Sequence, residues 1–225
     1  MKNMLNLLKL IWRTNPKTLY FNFKYLPFKK AIRLPFWIAG NTCLLQTKGK
    51  IIVEGPVYPG RIKIGYGHID IFDKKKSRTI WAVRGTVIFK GAASIGHGSK
   101  LSVGASGQLV LGNNFAITAE STIVAYNQVS FGNDCLLSWD ILLMDTDFHA
   151  IRNTQQKILN EPAPICIGDD VWIGCRCLIL KGSVIPNGSV IAADSLVNKP
   201  LTGEKQLFGG KPVTVLKQDI SWDKE

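Results

Sequence analysis

Asp145, Asp147 and His149 alternate along the chain with Thr146 and Phe148. On an extended backbone successive side chains point to opposite faces, so the three polar groups would share one face. A carboxylate beside an imidazole fixes the ring tautomer and raises the basicity of the other nitrogen. Imidazoles titrate near ~6.5, close to working pH, which suits a general base acting on a poor nucleophile such as a hydroxyl. Such a base works only if the surrounding elements hold it in place.

Those elements follow a period of six. Ile167, Ile173, Ile179, Ile185, Ile191 and Val197 are spaced by six, and the residue four places after each of the first five is small or β-branched: Val171, Cys177, Ser183, Ser189 and Ser195. Helices repeat at i, i+3, i+4 and half-buried strands alternate, so neither template fits. A fixed short repeat predicts a solenoid in which each coil buries its apolar face on the next. Gly168, Gly174 and Ala192 follow the aliphatic, and Gly182 and Gly188 fall at turns where positive φ is easily supplied by glycine. Upstream, Val87, Ile95, Val103 and Leu111 are eight apart, Leu111, Ile117 and Ile123 six apart, and Phe131, Leu137 and Leu143 six apart. The segment from Val87 to Val197 therefore reads as one solenoid interrupted once, by residues 145–164.

This repeat, with Asp145-x-Asp147-x-His149 ahead of Val171-Trp172-Ile173-Gly174 and the run Leu180-Lys181-Gly182, resembles the hexapeptide-repeat acyltransferases, and among them the O-acetyltransferases of bacterial surface polysaccharides. Residues 19–35 look like the leader of that subgroup. The resemblance implies an all-β fold: a left-handed parallel β-helix of triangular cross-section, with an N-terminal helical and aromatic cap and a short C-terminal tail. The corresponding division is residues 1–45 for the cap, 46–200 for the β-helix with its loop at 145–164, and 201–225 for the tail. It further implies that His149 is the general base, taking the proton of an acceptor hydroxyl as that oxygen attacks the thioester carbonyl of acetyl-CoA. Asp147 or Asp145 would orient the ring, and a backbone N–H would receive the oxyanion. Acetyl-CoA is expected along the coils between subunits of a homotrimer, at Gly174, Ala193, Asn198 and Lys199. The family's terminal Gly-Asn-Pro-Ala-Arg is matched imperfectly by residues 209–214, where Thr214 stands at the arginine position, so Lys211 or Lys217 would replace that contact. Trp139 and Asp140 are assigned to the acceptor pocket. The acceptor is a sugar hydroxyl of a surface glycan or its lipid-linked precursor; the alternatives are an amino sugar or small xenobiotic acceptor, or a non-catalytic solenoid scaffold.

Composition narrows the partners. The 225 residues, 46% hydrophobic, suffice for one sizeable core. A net charge of +12 favours an anionic partner: nucleic acid, an acidic membrane surface or a phosphorylated small molecule. No nucleic-acid module accompanies the charge, so nucleic acid is not expected. Five cysteines without a C-x-x-C pair argue against a disulfide framework or a zinc ribbon, and fit a reducing, cytoplasmic compartment. Cys177 reads as a small core residue. His68 and His97 read as surface corner residues, and spacings of 29 and 52 between the three histidines give no metal site.

The N-terminal region lacks the repeat. Leu5, Leu8 and Trp12 fit a short amphipathic helix. Residues 1–12 faintly resemble a signal peptide, but Asn6 and Lys9 interrupt the run and no small-x-small cleavage site follows. Residues 19–30 are aromatic, basic and punctuated by proline. That composition suits a cap over the first coil and also peripheral contact with the inner face of a membrane.

Overall fold

The computed structural model describes residues 14–67 and 69–223; the amphipathic helix expected at residues 5–12, and His68, lie outside them. Twenty-two short strands form three sheets of nine, seven and six strands, and every neighbour pairing but one is parallel. Each of the first six coils contributes one strand to each sheet in turn, and the seventh a strand to the first and second. The first corner joins first to second sheet, the second corner joins second to third, and the third corner returns to the first. Where the hexads are strict, partners in successive coils lie 18 residues apart: Cys166 faces Val184, Trp172 faces Val190 and Leu178 faces Leu196. This is the β-helix, three hexads to a coil.

The inward positions are those of the repeat. Ile173, Ile179, Ile191 and Val197 have no exposed surface, and Cys177, Ser183, Ser189 and Ser195 fill the corners beneath them. The upstream aliphatics Val87, Ile95, Leu111, Ile123, Leu137 and Leu143 join the same core. Burial pushes the Cys177 thiol up to about 11, so it behaves as a small apolar filler. Glycine alone does not turn the corners. Glu120, Asp140, Arg176 and Asp194 at the first corner have φ of 47–60°, and Asn114, Asp134 and Asp170 do the same at the third. Asn and Asp tolerate this left-handed region better than most residues because their short side chains bond locally. At the third corner those bonds form a ladder: the N–H of Asn113 donates to Asn133 Oδ1, that of Asn133 to Asp169 Oδ1, and that of Asp169 to Asn187 Oδ1.

The solenoid begins upstream of residue 46. Its first coil runs through Phe36–Ile38, Cys43–Thr47 and Lys50–Val53. Helix α1 (Pro16–Tyr25) and the short helix α2 (Phe28–Ala31) cover this coil. Phe21 plugs the open interior, ring to ring with Phe36 at 5.0 Å and Trp81 at 5.1 Å. Strand Phe36–Ile38 has no preceding strand, and α1 stands in for one. Asn22 Oδ1 accepts from Phe36 N at 3.1 Å while its Nδ2 donates to Phe36 O at 2.8 Å. Thr18 Oγ1 likewise accepts from Ile38 N at 3.0 Å. Side chains thus satisfy a strand edge that would otherwise be left bare.

At the far end, Leu207–Gly210 continues the first sheet in parallel, and Val213–Lys217 then turns back antiparallel to it. One corner residue differs from its sequence reading. His97 is fully buried, not on the surface, because the insertion between strands Ile62–Tyr66 and Ile80–Val83 brings Phe72 to 6.0 Å from its ring.

Candidate functional site

The long interruption is an excursion at the second corner, between strands Leu142–Met144 and Ile165–Ile167. Its neck is closed by Ala163 N donating to Asp145 O at 3.2 Å. Asp145 is fully buried, and its carboxylate faces the coil below, where both oxygens accept backbone N–H groups, from Tyr126 and from Asn127, each at 2.8 Å. The extended face expected for Asp145, Asp147 and His149 does not form. The strand ends at Met144, and Phe148 turns the chain with φ of 61°. Asp145 therefore points inward, while Asp147 and His149 are exposed.

Asp147 belongs to a latch. Its Oδ2 accepts from Lys181 Nζ at 2.6 Å and from Asn160 Nδ2 at 2.8 Å. These donors, Lys181 first, hold its carboxyl below the usual range. Lys181 comes from the second corner of the next coil and also reaches Asn160 O at 2.7 Å. Asn160 ties the loop to itself: Nδ2 donates to His149 O at 2.8 Å and Oδ1 accepts from Ile151 N at 2.6 Å. His149 N donates to Asp147 O at 2.7 Å. The histidine backbone is thus held on both sides, and His149 lines a cavity of about 140 Å³ with Asp147, Ile158, Glu161 and Pro162. Phe148 packs edge-on against Tyr126 at 4.9 Å, and the Tyr126 hydroxyl accepts from Arg84 at 3.1 Å. Lys181 was visible in the sequence as part of a motif; Asn160 carried no signal there beyond its place in a polar loop.

The other sequence-predicted residues fall on two edges. Asn198 and Lys199 follow strand Leu196–Val197 and lie exposed on the His149 edge. Trp139, Asp140, Gly174 and Ala193 lie at the first corner, and Lys211 is held there by an ion pair with Asp194 at 2.6 Å. The hydrogen bond and charge of that lysine keep the Asp194 carboxyl below its ordinary range. A second-sheet face of six residues, roughly 20 Å at most, separates the two edges within one chain. Gly174 has a packing reason to be glycine: a Cβ there would lie 2.7 Å from Ala193 N. Asp140 and Trp139 are exposed and half-buried respectively, and Trp139 O accepts from Arg176 N at 3.0 Å. Trp172 points outward from the first sheet, donates its indole N–H to Ser138 Oγ at 3.1 Å and lies 6.0 Å from the ring of Trp222. Among the described residues no group of His, Cys, Asp and Glu is arranged to hold a metal ion.

The fold is that of the left-handed β-helix found in acyltransferases. The homologues of the chain include O-acetyltransferases of polysaccharide biosynthesis. Similarity reaches 30% identity over 139 residues with an uncharacterised 24.8 kDa protein of the cps region of Klebsiella pneumoniae, covering 62% of this chain and 61% of that one. It is 23% over 144 residues with the putative lipopolysaccharide biosynthesis O-acetyl transferase WbbJ of Escherichia coli, covering 60% and 72%. Among solved structures, the polysialic-acid-specific acetyltransferase NeuO superposes with a TM-score of 0.51 at 24% identity, over 84% of this chain and 79% of that one. A point mutant of the N-acyltransferase AntD of Bacillus cereus, in complex with dTDP and coenzyme A, superposes with a TM-score of 0.50 at 15% identity, over 86% and 90%. The chain thus spans about three-fifths of the Klebsiella relative's length. No protein-family model matches it.

Proposed function

We propose that the protein transfers an acetyl group from acetyl-CoA to a sugar hydroxyl of a surface polysaccharide or its lipid-linked precursor. The observation that carries this reading is His149: exposed beside a cavity, on a loop braced by Asp147, Asn160 and Lys181, in a β-helix whose relatives include polysaccharide O-acetyltransferases. His149 takes the hydroxyl proton as the sugar oxygen attacks the thioester carbonyl. The tetrahedral intermediate then collapses, the C–S bond breaks, and the proton passes from the imidazolium to the departing CoA sulfur. Asp147 acts through the loop backbone and Asp145 through the corner beneath it, so both are positioning residues.

The two edges complement each other between copies. In a cyclic trimer the His149 edge of one copy, with Asn198 and Lys199, faces the Gly174, Ala193 and Lys211 edge of its neighbour, and symmetry makes the three clefts identical. Acetyl-CoA occupies that cleft, with lysines as point charges for its phosphates. Trp139 and Asp140, at the first corner of the coil that carries the His149 loop, contact the acceptor. Donor binding has support in the coenzyme A complex of AntD.

The test is CoA release from acetyl-CoA across a panel of glycan precursors, wild type against His149→Ala, with both folds checked by circular dichroism. Turnover in the wild type that falls by at least about 100-fold in the variant supports the base assignment. Equal turnover in both sinks it. Stability of the product to mild base separates an amide, and hence an amino-sugar acceptor, from an ester.

A further inference from the structure

The cap that closes the first coil is apolar on its outside as well. Helix α1 turns Phe21 and Asn22 inward and leaves Leu19, Tyr20 and Phe23 in solvent. Phe28, 69% exposed, and Ile32, 54% exposed, extend the same patch across α2, and the rings of Phe23 and Phe28 lie 6.0 Å apart. Surface helices of globular proteins ordinarily present polar residues on the outer face, and contiguous exposed apolar patches mark a partner. The charge around the patch indicates which partner. Lys24, Lys29 and Lys30 are exposed on the same two helices, and Arg33 on the turn that follows α2. The first acidic side chain in the whole sequence is Glu54. Both helices therefore carry only positive side-chain charge beside their protruding aromatic rings.

We infer that this end of the solenoid docks on an anionic phospholipid bilayer, with Phe23, Phe28 and Ile32 entering the headgroup boundary and the lysines pairing with lipid phosphates. Aromatic and aliphatic side chains supply the interfacial insertion, and basic residues supply the attraction to acidic lipid. The strand edge beneath is already satisfied by Asn22 and Thr18, so the outer face is not needed to close the fold. Docking fixes a height. The cap covers the first coil and His149 leaves the fifth; four coil steps of ~4.8 Å hold the site about 19 Å above the first coil, within reach of a glycan whose lipid carrier stays in the membrane. That last consequence rests on the proposed acetyl transfer; the docking does not.

The experiment is co-sedimentation of the full chain with vesicles of phosphatidylcholine alone, or with about a third phosphatidylglycerol, at low and high salt. Wild type is expected on the anionic vesicles at low salt and largely free with neutral ones. Lys29→Gln with Lys30→Gln lowers the partition by roughly 30-fold, at about one kcal/mol per charge. Phe28→Ser lowers it by roughly tenfold at either salt. Both variants alter exposed side chains, and unchanged melting curves verify the fold. No binding by wild type, equal binding to neutral vesicles, or variants that partition as wild type does would each overturn the inference. So would a patch-dependent self-association seen by light scattering, or a salt-sensitive affinity for oligothymidine as strong as that for vesicles. His149→Ala should bind vesicles as wild type does, so loss of turnover and loss of docking are read separately.

Discussion

Replacing Asp145 by alanine separates a structural carboxylate from a catalytic one. In the structure both oxygens of Asp145 receive backbone N–H groups, from Tyr126 and Asn127 at 2.8 Å, and the side chain has no exposed surface. Hydrogen bonds to a charged acceptor contribute ~1.5–3 kcal/mol each, and a donor left without a partner costs a similar amount. The two bonds share one carboxylate, so about 3 kcal/mol is the reasonable total for Asp145→Ala. With an m-value near ~2 kcal/mol per molar, the urea midpoint falls by about 1.5 M. Asp145→Asn keeps one acceptor but turns an N–H donor toward another N–H donor, so it should recover little, with a loss of about 2 kcal/mol. The assay is urea unfolding followed by tryptophan fluorescence at one protein concentration, run beside acetyl transfer on the same samples. His149→Ala is the control: an exposed side chain, expected to change stability by less than ~0.5 kcal/mol while removing turnover. If Asp145→Ala unfolds like wild type yet is inactive, the corner assignment is wrong and the carboxylate serves the histidine directly.

Four further outcomes follow from the geometry. Lys181→Met opens the latch on Asp147; because the pair is only partly buried it should cost about 1 kcal/mol of stability, while turnover falls about tenfold and the KM for acetyl-CoA holds. The Asp147 carboxyl is depressed by Lys181 and Asn160, so the latch is complete above the ordinary carboxylate range near ~4 and is lost as pH falls through the lower folded value. Proteolytic nicking of residues 145–164 should therefore stay flat from neutral pH down to about 5 and rise only in stronger acid, measured with an acid-tolerant protease. Gly96→Ala drives a Cβ into the Thr118 carbonyl of the next coil, which rigid ladder backbone cannot yield to, and should destabilise by more than ~3 kcal/mol. Gly40→Ala, with nothing within 4 Å of its Cβ, should melt within about 1–2 °C of wild type.

The hexads were legible because every inward position carries its own side chain, and burial selects aliphatics there whatever lies elsewhere in the coil. Ile173 and Cys177 could be placed from spacing alone. The first coil was not legible as solenoid. Its strand Phe36–Ile38 pairs on one side with side chains of Thr18 and Asn22, an arrangement that leaves no periodic trace. His149 could be singled out by residue type and by its place at the interruption. The fate of the neighbouring aspartates could not, because alternation presumes extended backbone and the left-handed turn at Phe148 breaks it. Asn160 meets His149 only after the loop closes at Ala163 and Asp145. His97 was misplaced for a related reason: its cover is an insertion distant in sequence, and burial by a loop follows no period.

The reversed strand Val213–Lys217 has a consequence for assembly. A stack of parallel coils is a growing lattice in one dimension, and each finished coil offers its upper edge as a template for the next, in the same chain or another. Here the first sheet ends on a strand running the opposite way, whose hydrogen-bonding pattern does not match the parallel register a further coil would bring. At the other end, the Phe36 and Ile38 backbone groups are occupied by Asn22 and Thr18. Neither of these edges offers the first sheet a matching template for a further parallel coil, which disfavours end-to-end stacking of copies through that sheet.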